Sequence, residues 1–398
     1  MPLVSPSERS ITPGTLGLYE NQEPLTVERV VVHRRRLQLV DAVETAFGRF
    51  ETLVRLYPEI TFRSQSGEAV RGIGECSPLS APWYDGECEG TVDVALGFLV
   101  SSLTALGEPI TGITSFVARL DWIVGHNVAK TGLEGAYWDA VAQLQGVSVS
   151  RLWGGTRGRV ETGITVGLQR SPGDLVNKVR AVLDQRQIAR LKLKVKPGYD
   201  VTYLEALRRS FPDLRLQVDA NGSYDLFDQE HLDALKCFDD FQLVMIEQPG
   251  QSDDLLDHAR LLAHLDTPIC LDESICHATH ARQAMECWGE FSTLSKLVIN
   301  VKPSRVGGYL EAMRIARLCH DQGVSVWCGG MYESALGKAA NVHLSARQEL
   351  NLPGDHAGLT PYFTENIALS PRDQGGWIEV PRGVGWGLGD IQRVFESP

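Results

Sequence analysis

At five places a charged residue directly follows a short apolar run: Lys192-Leu193-Lys194, Asp219-Ala220-Asn221, Glu247-Gln248-Pro249, Asp272-Glu273-Ser274 and Lys302-Pro303. Buried charge is costly unless it is paired or bound to a metal, so such a series points to a site rather than to fold stability. Asp219, Glu247 and Asp272 make a hard oxygen-ligand set suited to magnesium, with manganese as the substitute, rather than to zinc. A lone carboxylate in such a place is more often a surface or helix-capping acid. Three at corresponding places favour metal ligation, with water and substrate oxygens completing the shell.

Lys192 and Lys194 are two residues apart, so on a strand they face the same way while Leu193 faces the opposite layer. Lys302 would approach from the far side. A proton next to a carboxylate is weakly acidic, and its removal calls for metal stabilisation of the enediolate and an amine that is neutral part of the time. The chemistry expected is metal-assisted proton abstraction α to a substrate carboxylate, with Lys194, Lys302 and Lys192 as the catalytic candidates. Taken alone, the lysine pair has a lesser reading as solvated lysines like Lys196; the carboxylates shift the balance further toward chemistry. Lys296 shares a strand face with Lys302 by even spacing but stands at the strand's beginning, and is read as structural.

These residues need elements that bring them to one place. After Gly154-Gly155, apolar runs alternate with amphipathic stretches such as Gly308 to Cys319, the pattern of βαβ units and a parallel sheet. Strands are expected at 163–168, 190–195, 214–218, 241–246, 268–271, 297–301 and 324–327. Short connections, polar residues at strand ends and no Gly-rich phosphate loop favour a closed barrel, with catalytic groups at the C-terminal strand ends, over an open doubly wound sheet. Upstream, strand-like stretches from Val27 to about Pro58 and helical patterns over 90–150 make an α+β unit. The division expected is 1–27 as an aperiodic extension, 28–155 as an α+β capping domain, 156–355 as the barrel, and 356–398 as a C-terminal segment completing both.

The chain has 398 residues, 43% hydrophobic and 22% charged, with a formal charge of -12. That balance suits a large core, and the acidic charge disfavours nucleic acid, since the run Arg34-Arg35-Arg36 is too short for a phosphate-binding surface; the small-molecule carboxylate substrate is expected from the site motifs alone. Neither an export signal nor an apolar stretch of about 18 residues is evident, so no membrane partner is expected and the cytoplasm is the default. Homo-oligomerisation is left open. The scattered cysteines lack a CxxC pair and read as packing, Cys328 included.

The motifs resemble the enolase superfamily and, within its muconate lactonizing enzyme subgroup, the o-succinylbenzoate synthase / N-succinylamino acid racemase family. The resemblance rests on Lys192-Leu193-Lys194-Val195-Lys196-Pro197-Gly198, Val218-Asp219-Ala220-Asn221, Ile246-Glu247-Gln248-Pro249, Leu271-Asp272-Glu273-Ser274, Asn300-Val301-Lys302-Pro303-Ser304-Arg305-Val306-Gly307-Gly308 and Trp327-Cys328-Gly329-Gly330-Met331-Tyr332-Glu333-Ser334. It implies a modified (β/α)7β TIM barrel with an α+β N-terminal capping domain, whose loops near 47–50 and 80–86 select the substrate. It implies a bound magnesium ion, and Asn221, Thr165 and Glu333 as substrate or supporting contacts. The implied activity is dehydration to o-succinylbenzoate for menaquinone synthesis, with N-acylamino acid racemisation second and muconate-type cycloisomerisation third; a barrel that binds metal or ligand without catalysis is the non-enzyme alternative. A longer stretch from Asp272 to Lys302, Gly222-Ser223 after the Asn, and Ser304 in place of a Gly depart from the family pattern.

Overall fold

The computed structural model describes residues 20–44, 49–105, 107–291, 293–357, 362–389, 391 and 395. Most of the extension expected over 1–27, and Phe47-Gly48 of the first specificity loop, lie outside them. Residues 20–27 depart from expectation, because they open the first strand, with Leu25 and Val27 buried. The Pro-Leu-Thr-Val alternation there is too short to read as a strand until its partners are known.

The N-terminal layer is an antiparallel sheet of β1 (Glu20–Glu44), β2 (Arg49–Ser64), β3 (Ala69–Ile73) and β4 (Ile110–Gly112), in the order β3-β2-β1-β4. Beyond its short pairing with β4 at Glu20 and Leu25, β1 meets residues 362–364 at its far end, where Leu39 bridges Phe363, and Arg34 and Arg36 are exposed on the stretch between. Helices α1 (Glu89–Ala105), α2 (Ile113–Ala118), α3 (Asn127–Leu144) and α4 (Val149–Leu152) complete the layer. Nearly all of α3 is buried, because it is clamped between β3 and the barrel. Two glycines permit that approach: a Cβ on Gly72 or Gly74 would lie 1.9 Å from a carbonyl oxygen of α3, of Ala136 or Gly132 respectively.

The second layer begins after β5 (Arg159–Glu161) with β6 (Ile164–Val166), α5 (Pro172–Leu183), β7 (Leu191–Lys194), α6 (Val201–Ser210), β8 (Leu216–Asp219) and α7 (Gln229–Lys236). It continues with β9 (Ile246–Glu247), α8 (Leu255–Leu261), β10 (Ile269–Leu271), α9 (Ala278–Phe291), β11 (Leu297–Val301), the single turn α10 (Pro303–Val306), α11 (Tyr309–Gln322), β12 (Ser325–Cys328) and α12 (Ala335–Ser345). The strands β6 to β12 pair in sequence order as one parallel, seven-stranded sheet. Parallel order forces a crossover after each strand, and helix-period apolar pairs such as Leu175/Val179 and Leu204/Leu207 bury each crossover on the sheet. Ser171, Asp200, Asp228, Asp254 and Ser334 cap helix starts by accepting backbone N–H bonds. Residues 351–355 then close the ring: Asp355 N–H donates to Cys328 O (3.0 Å) on the β12 side, and Gly163 N–H donates to Gly354 O (2.8 Å) on the β6 side. Finally β13 (Trp377–Glu379) pairs with β5.

The strand expected over 241–246 is much shorter than the pattern suggested. Residues Cys237–Phe241 form a 3-10 turn that buries Phe238 and Phe241, and Gln242 turns left-handed (φ 50°), so the first backbone bond to β8 is from Val244 N–H to Leu216 O (2.8 Å) and the strand itself is only Ile246–Glu247. Asp239 explains the turn by accepting from Asp266 N–H and Thr267 N–H, both at 2.8 Å, which ties it to the approach to β10. Lys296 also sits in a 3-10 turn ahead of β11 rather than on the strand, and donates to Leu265 O and Asp266. All eight cysteines are free thiols. No helix among the described residues is long and apolar enough to cross a membrane.

Glu75 joins the layers. Its buried carboxylate accepts from Ser334 N–H (2.8 Å), Ser334 O–H (2.6 Å) and Gly337 N–H (2.8 Å) at the start of α12, and lies 3.6 Å from buried Arg55. An anion there complements both the helix dipole and the orphan N–H groups. Glu75→Ala is expected to destabilise the protein by about 2–4 kcal/mol, because it strands several buried donors, to be read from urea unfolding. Buried His343 accepts from Ser150 N–H at Nδ1 (3.2 Å) and donates from Nε2 to Trp386 O (3.1 Å), and burial draws its pKa down from 6.5 to about 4. The unfolded chain therefore binds more protons between those values, so His343 contributes roughly 3 kcal/mol above pH 6.5 that is lost as pH falls through 4. Urea titrations across that window should show a flatter slope in His343→Asn than in the wild type.

Candidate active site

The parallel register sets the site. Lys194 pairs with Asp219, Asp219 with Glu247, and Cys270, two residues before Asp272, with Glu247. Successive C-terminal strand ends thus place Lys192, Lys194, Asp219, Glu247, Asp272 and Lys302 around one mouth. Asp219, Glu247 and Asp272 are at most 1% exposed. Each is turned onto a cation: Lys194 Nζ donates to Asp219 (2.6 Å), Lys192 Nζ to Glu247 (3.1 Å), and Lys302 Nζ to Asp272 (2.7 Å). Lys194 therefore stands at the Asp219 end of the carboxylate row, and Lys302 at the Asp272 end.

Electrostatics follow from this packing. Burial opposes ionisation of Asp219, but Lys194 and Lys192 outweigh it and hold the carboxyl well below the usual range. Burial similarly opposes the charges of Asp272 and Lys302; Lys302 and Arg305 nevertheless depress the Asp272 carboxyl, while Asp272 and Glu273 raise Lys302. Glu247 goes the other way, pushed up to about 8 by burial and then by the Asp219 charge. Gln217 (2.6 Å) and Asn300 (2.8 Å) hold its oxygens.

Of the remaining candidates, Asn221 accepts from Lys194 (2.5 Å) and donates to Glu273 (2.8 Å), with a left-handed backbone (φ 44°). Thr165 is partly exposed beside Lys192 in the β6–β7 register. Glu333 accepts from Met331 N–H (2.8 Å) and Asn341 (3.0 Å). Together with Lys338, Tyr362 and Phe363 it lines a cavity of about 400 Å³.

Sequence reasoning passed over Asp355, Trp327, Tyr84 and Arg305 as members of the site. Asp355 ends the closing segment and reaches both Lys192 and Arg190 at 2.5 Å. Burial opposes the Lys192 charge, but Asp355, Glu247 and Asp219 together raise it well above its ordinary value. Trp327 floors both cations, with its ring 4.3 Å from the Arg190 guanidinium and 5.0 Å from Lys192. Asp355 follows Leu352-Pro353-Gly354, which carries no strand signal. Tyr84, in the capping loop 80–86, puts its hydroxyl 3.0 Å from Asp272, 3.1 Å from Lys302 and 2.9 Å from Arg305. Arg305 also grips Asp272 directly. Phe50, Leu53, Trp83, Met331, Tyr332, Tyr362 and Phe363 make an apolar roof over the mouth.

In this arrangement no three His, Cys, Asp or Glu side chains among the described residues converge as a metal-holding group. The donor set still fits a hard divalent cation. Three carboxylates from adjacent strands supply oxygen ligands, and Glu273 Oε2 is a further buried oxygen with no hydrogen-bond partner. Displacing the lysines from these oxygens would free them for the ion.

Comparison with known proteins comes out consistently. Residues 174–389 match a family model described as enolase C-terminal domain-like. The chain is 39% identical to an o-succinylbenzoate synthase of Geobacillus stearothermophilus over 373 residues, covering 93% of this chain and 94% of that protein. It is 36% identical to an N-succinylamino acid racemase of Amycolatopsis sp., covering 92% and 96%. A crystal structure of an enolase superfamily member from Listeria innocua superposes with a TM-score of 0.84 at 31% identity, covering 94% and 97%.

Arg190 Nε and Nη1 are buried without hydrogen-bond partners, so that guanidinium leans on Asp355. Asp355→Ala should therefore destabilise the fold by about 3–5 kcal/mol, the scale for stranding a buried charge, with Asp355→Glu retaining part of it. A loss below about 1 kcal/mol in chemical denaturation would mean that water already reaches these cations.

Proposed function

The chain belongs to the enolase superfamily, in its muconate lactonizing enzyme subgroup, and from that premise we propose that it removes the proton α to a substrate carboxylate, with dehydration to o-succinylbenzoate as its reaction. The observation that carries this reading is the carboxylate row Asp219, Glu247 and Asp272 with Lys194 at one end and Lys302 at the other. A lysine base with magnesium is the established pattern of the superfamily. Asp219, Glu247 and Asp272 would hold the ion, which when bound supplies Lewis-acid stabilisation of the enediolate charge.

Lys194 takes the α-proton. Lys302, kept as an ammonium by Asp272 and Glu273, faces the developing negative charge from the other end. Lys192, fixed by Asp355 over Trp327, steers the substrate carboxylate. The β-carbon then expels hydroxide, and the proton held by Lys194 completes the water that leaves. The roof of Phe50, Trp83 and Tyr362 keeps bulk water out while charge develops. Dehydration is placed first because the synthase match is somewhat stronger than the racemase match.

A second reading, N-succinylamino acid racemisation, is favoured by the same lysine pair, since inversion needs one ammonium and one amine on opposite faces of the carbon. Magnesium-dependent turnover of the cyclohexadiene precursor, run beside solvent-deuterium exchange into N-succinyl amino acids, separates the two. The synthase reading expects rapid dehydration, lost by about 10³-fold or more in Lys194→Ala and abolished by chelation of the metal. Exchange at the α-carbon without efficient dehydration would make the enzyme a racemase, in which Lys194→Ala and Lys302→Ala each block exchange from one enantiomer. Absence of both reactions in a metal-loaded protein would overturn the assignment of substrate class.

A further inference from the structure

The strands carrying Glu247 and Asp272 are barely tied to each other. Only two pairs, Ile269 with Ile246 and Cys270 with Glu247, join β9 to β10, so the register ends before Asp272 is reached. Two carboxylates that must meet one cation need a fixed separation at that point. Gln248, next in the chain after Glu247, continues the tie. Its own N–H donates to Cys270 O (2.8 Å), and its carbonyl accepts from Gly222 N–H (2.7 Å). Its side-chain Oε1 then accepts from the backbone N–H groups of Asp272 (3.0 Å) and Ser274 (3.3 Å). Its Nε2 donates to Gly250 O (3.1 Å) and Ser274 Oγ (2.8 Å).

This use of both amide ends fixes the carboxamide orientation, because two backbone donors can face only the oxygen. It also accounts for the strained backbone of Gln248, whose φ of 39° is uncommon for a residue with a side chain. Behind it stands His258 of α8, fully buried. His258 Nε2 accepts from Gly250 N–H (3.0 Å) and lies 3.4 Å from Gln248 Nε2, while Nδ1 bonds Asp254 O. An acceptor at Nε2 and a carbonyl at Nδ1 define one neutral tautomer with its proton on Nδ1.

Resting on the proposed function, we infer that Gln248, braced by His258, is a positioning residue that sets the separation of Glu247 and Asp272 so that both can ligate one divalent cation. Neither residue supplies an atom to the reaction. Both act on the backbone that carries the ligands, and supporting contacts of this kind typically change metal affinity by about 10–100-fold.

The test is metal affinity in the absence of substrate, measured with Mn2+ by paramagnetic resonance and with Mg2+ by calorimetry, on protein whose circular dichroism and melting are recorded alongside. Gln248→Leu should weaken both metals by about 10-fold or more. His258→Asn keeps a donor toward Asp254 O but loses the Gly250 contact, and should weaken them by a smaller factor. At saturating metal, turnover should recover much of the loss with KM for the carboxylate substrate unchanged. A folded Gln248→Leu, or a folded His258→Asn if the first variant does not fold, that binds both metals as tightly as wild type would overturn the inference. Wild-type protein that binds neither metal would overturn the functional reading itself, and the inference with it.

Discussion

Carboxylates buried side by side repel one another, and the barrel is organised around neutralising that repulsion without water. Asp219, Glu247 and Asp272 stand in a row because parallel pairing leaves their strands ending side by side. Lys192, Lys194, Lys302 and Arg305 are drawn in to match them, and each brings its own desolvation cost. That cost explains the next ring of residues. Asp355 holds Lys192, Gln217 and Asn300 satisfy the Glu247 oxygens, and the Trp327 face lies under Lys192 and Arg190. A fold that needed only an apolar core would have no use for this arrangement.

The N-terminal layer matters because it completes this electrostatic pocket from above. Tyr84 reaches from the capping loop to Asp272, Lys302 and Arg305, so the Asp272 end of the row is assembled from both layers. Helix α3 fixes the same region from the side: Thr131 donates to Pro303 O (2.9 Å) and Asn127 to Arg305 O (2.6 Å), on either side of the turn that follows Lys302. Glu75 and Arg55 lock the cap to the 331–337 turn, where Arg55 donates to the Met331 and Tyr332 carbonyls. The cap is thus a wall of the site, and its position is set by buried polar contacts that tolerate little slippage.

What could be read from the sequence follows from how local each signal is. Charged residues ending apolar runs are a one-dimensional pattern, so Lys192, Lys194, Asp219, Glu247, Asp272 and Lys302 could be named, and the alternation of runs and helices gave the parallel architecture. Asp355 could not, because its segment closes the ring with Pro353 and Gly354 instead of an apolar run. Tyr84 looks like any aromatic residue in a polar loop until the loop is folded over the barrel. The strand ending at Ile246 was over-read because Phe241, Leu243 and Val244 are apolar; Asp239 bonding to the β10 approach turns the chain there, and that is a tertiary contact. Glu333 belongs to a motif legible in the sequence, but its partners, Met331 N–H and Asn341, become visible only in the fold.

On the proposed reading, the lysine pair and carboxylate row would set the bond that breaks, but not the molecule that carries it. Proton removal from one face requires only Lys194 and a stabilised enediolate, whereas inversion also requires Lys302 to return a proton. Both demands are met by the same atoms, so the choice between elimination and inversion passes to whatever fixes the substrate's remaining groups. Those groups would lie against the roof, where Phe50 packs on Trp83 at 6.0 Å and on Tyr332 at 5.6 Å, and Tyr332 on Tyr362 at 5.3 Å. An aromatic wall of this kind presents large apolar faces and few fixed hydrogen-bond donors, which suits a ring or an acyl chain held by shape more than by polar readout. Discrimination by shape alone is shallow, about 1–3 kcal/mol for each methylene-sized difference. On the proposed reading, two reactions sharing one barrel and one lysine pair would therefore be separated by small energies in the roof, while the carboxylate row beneath would stay common to both.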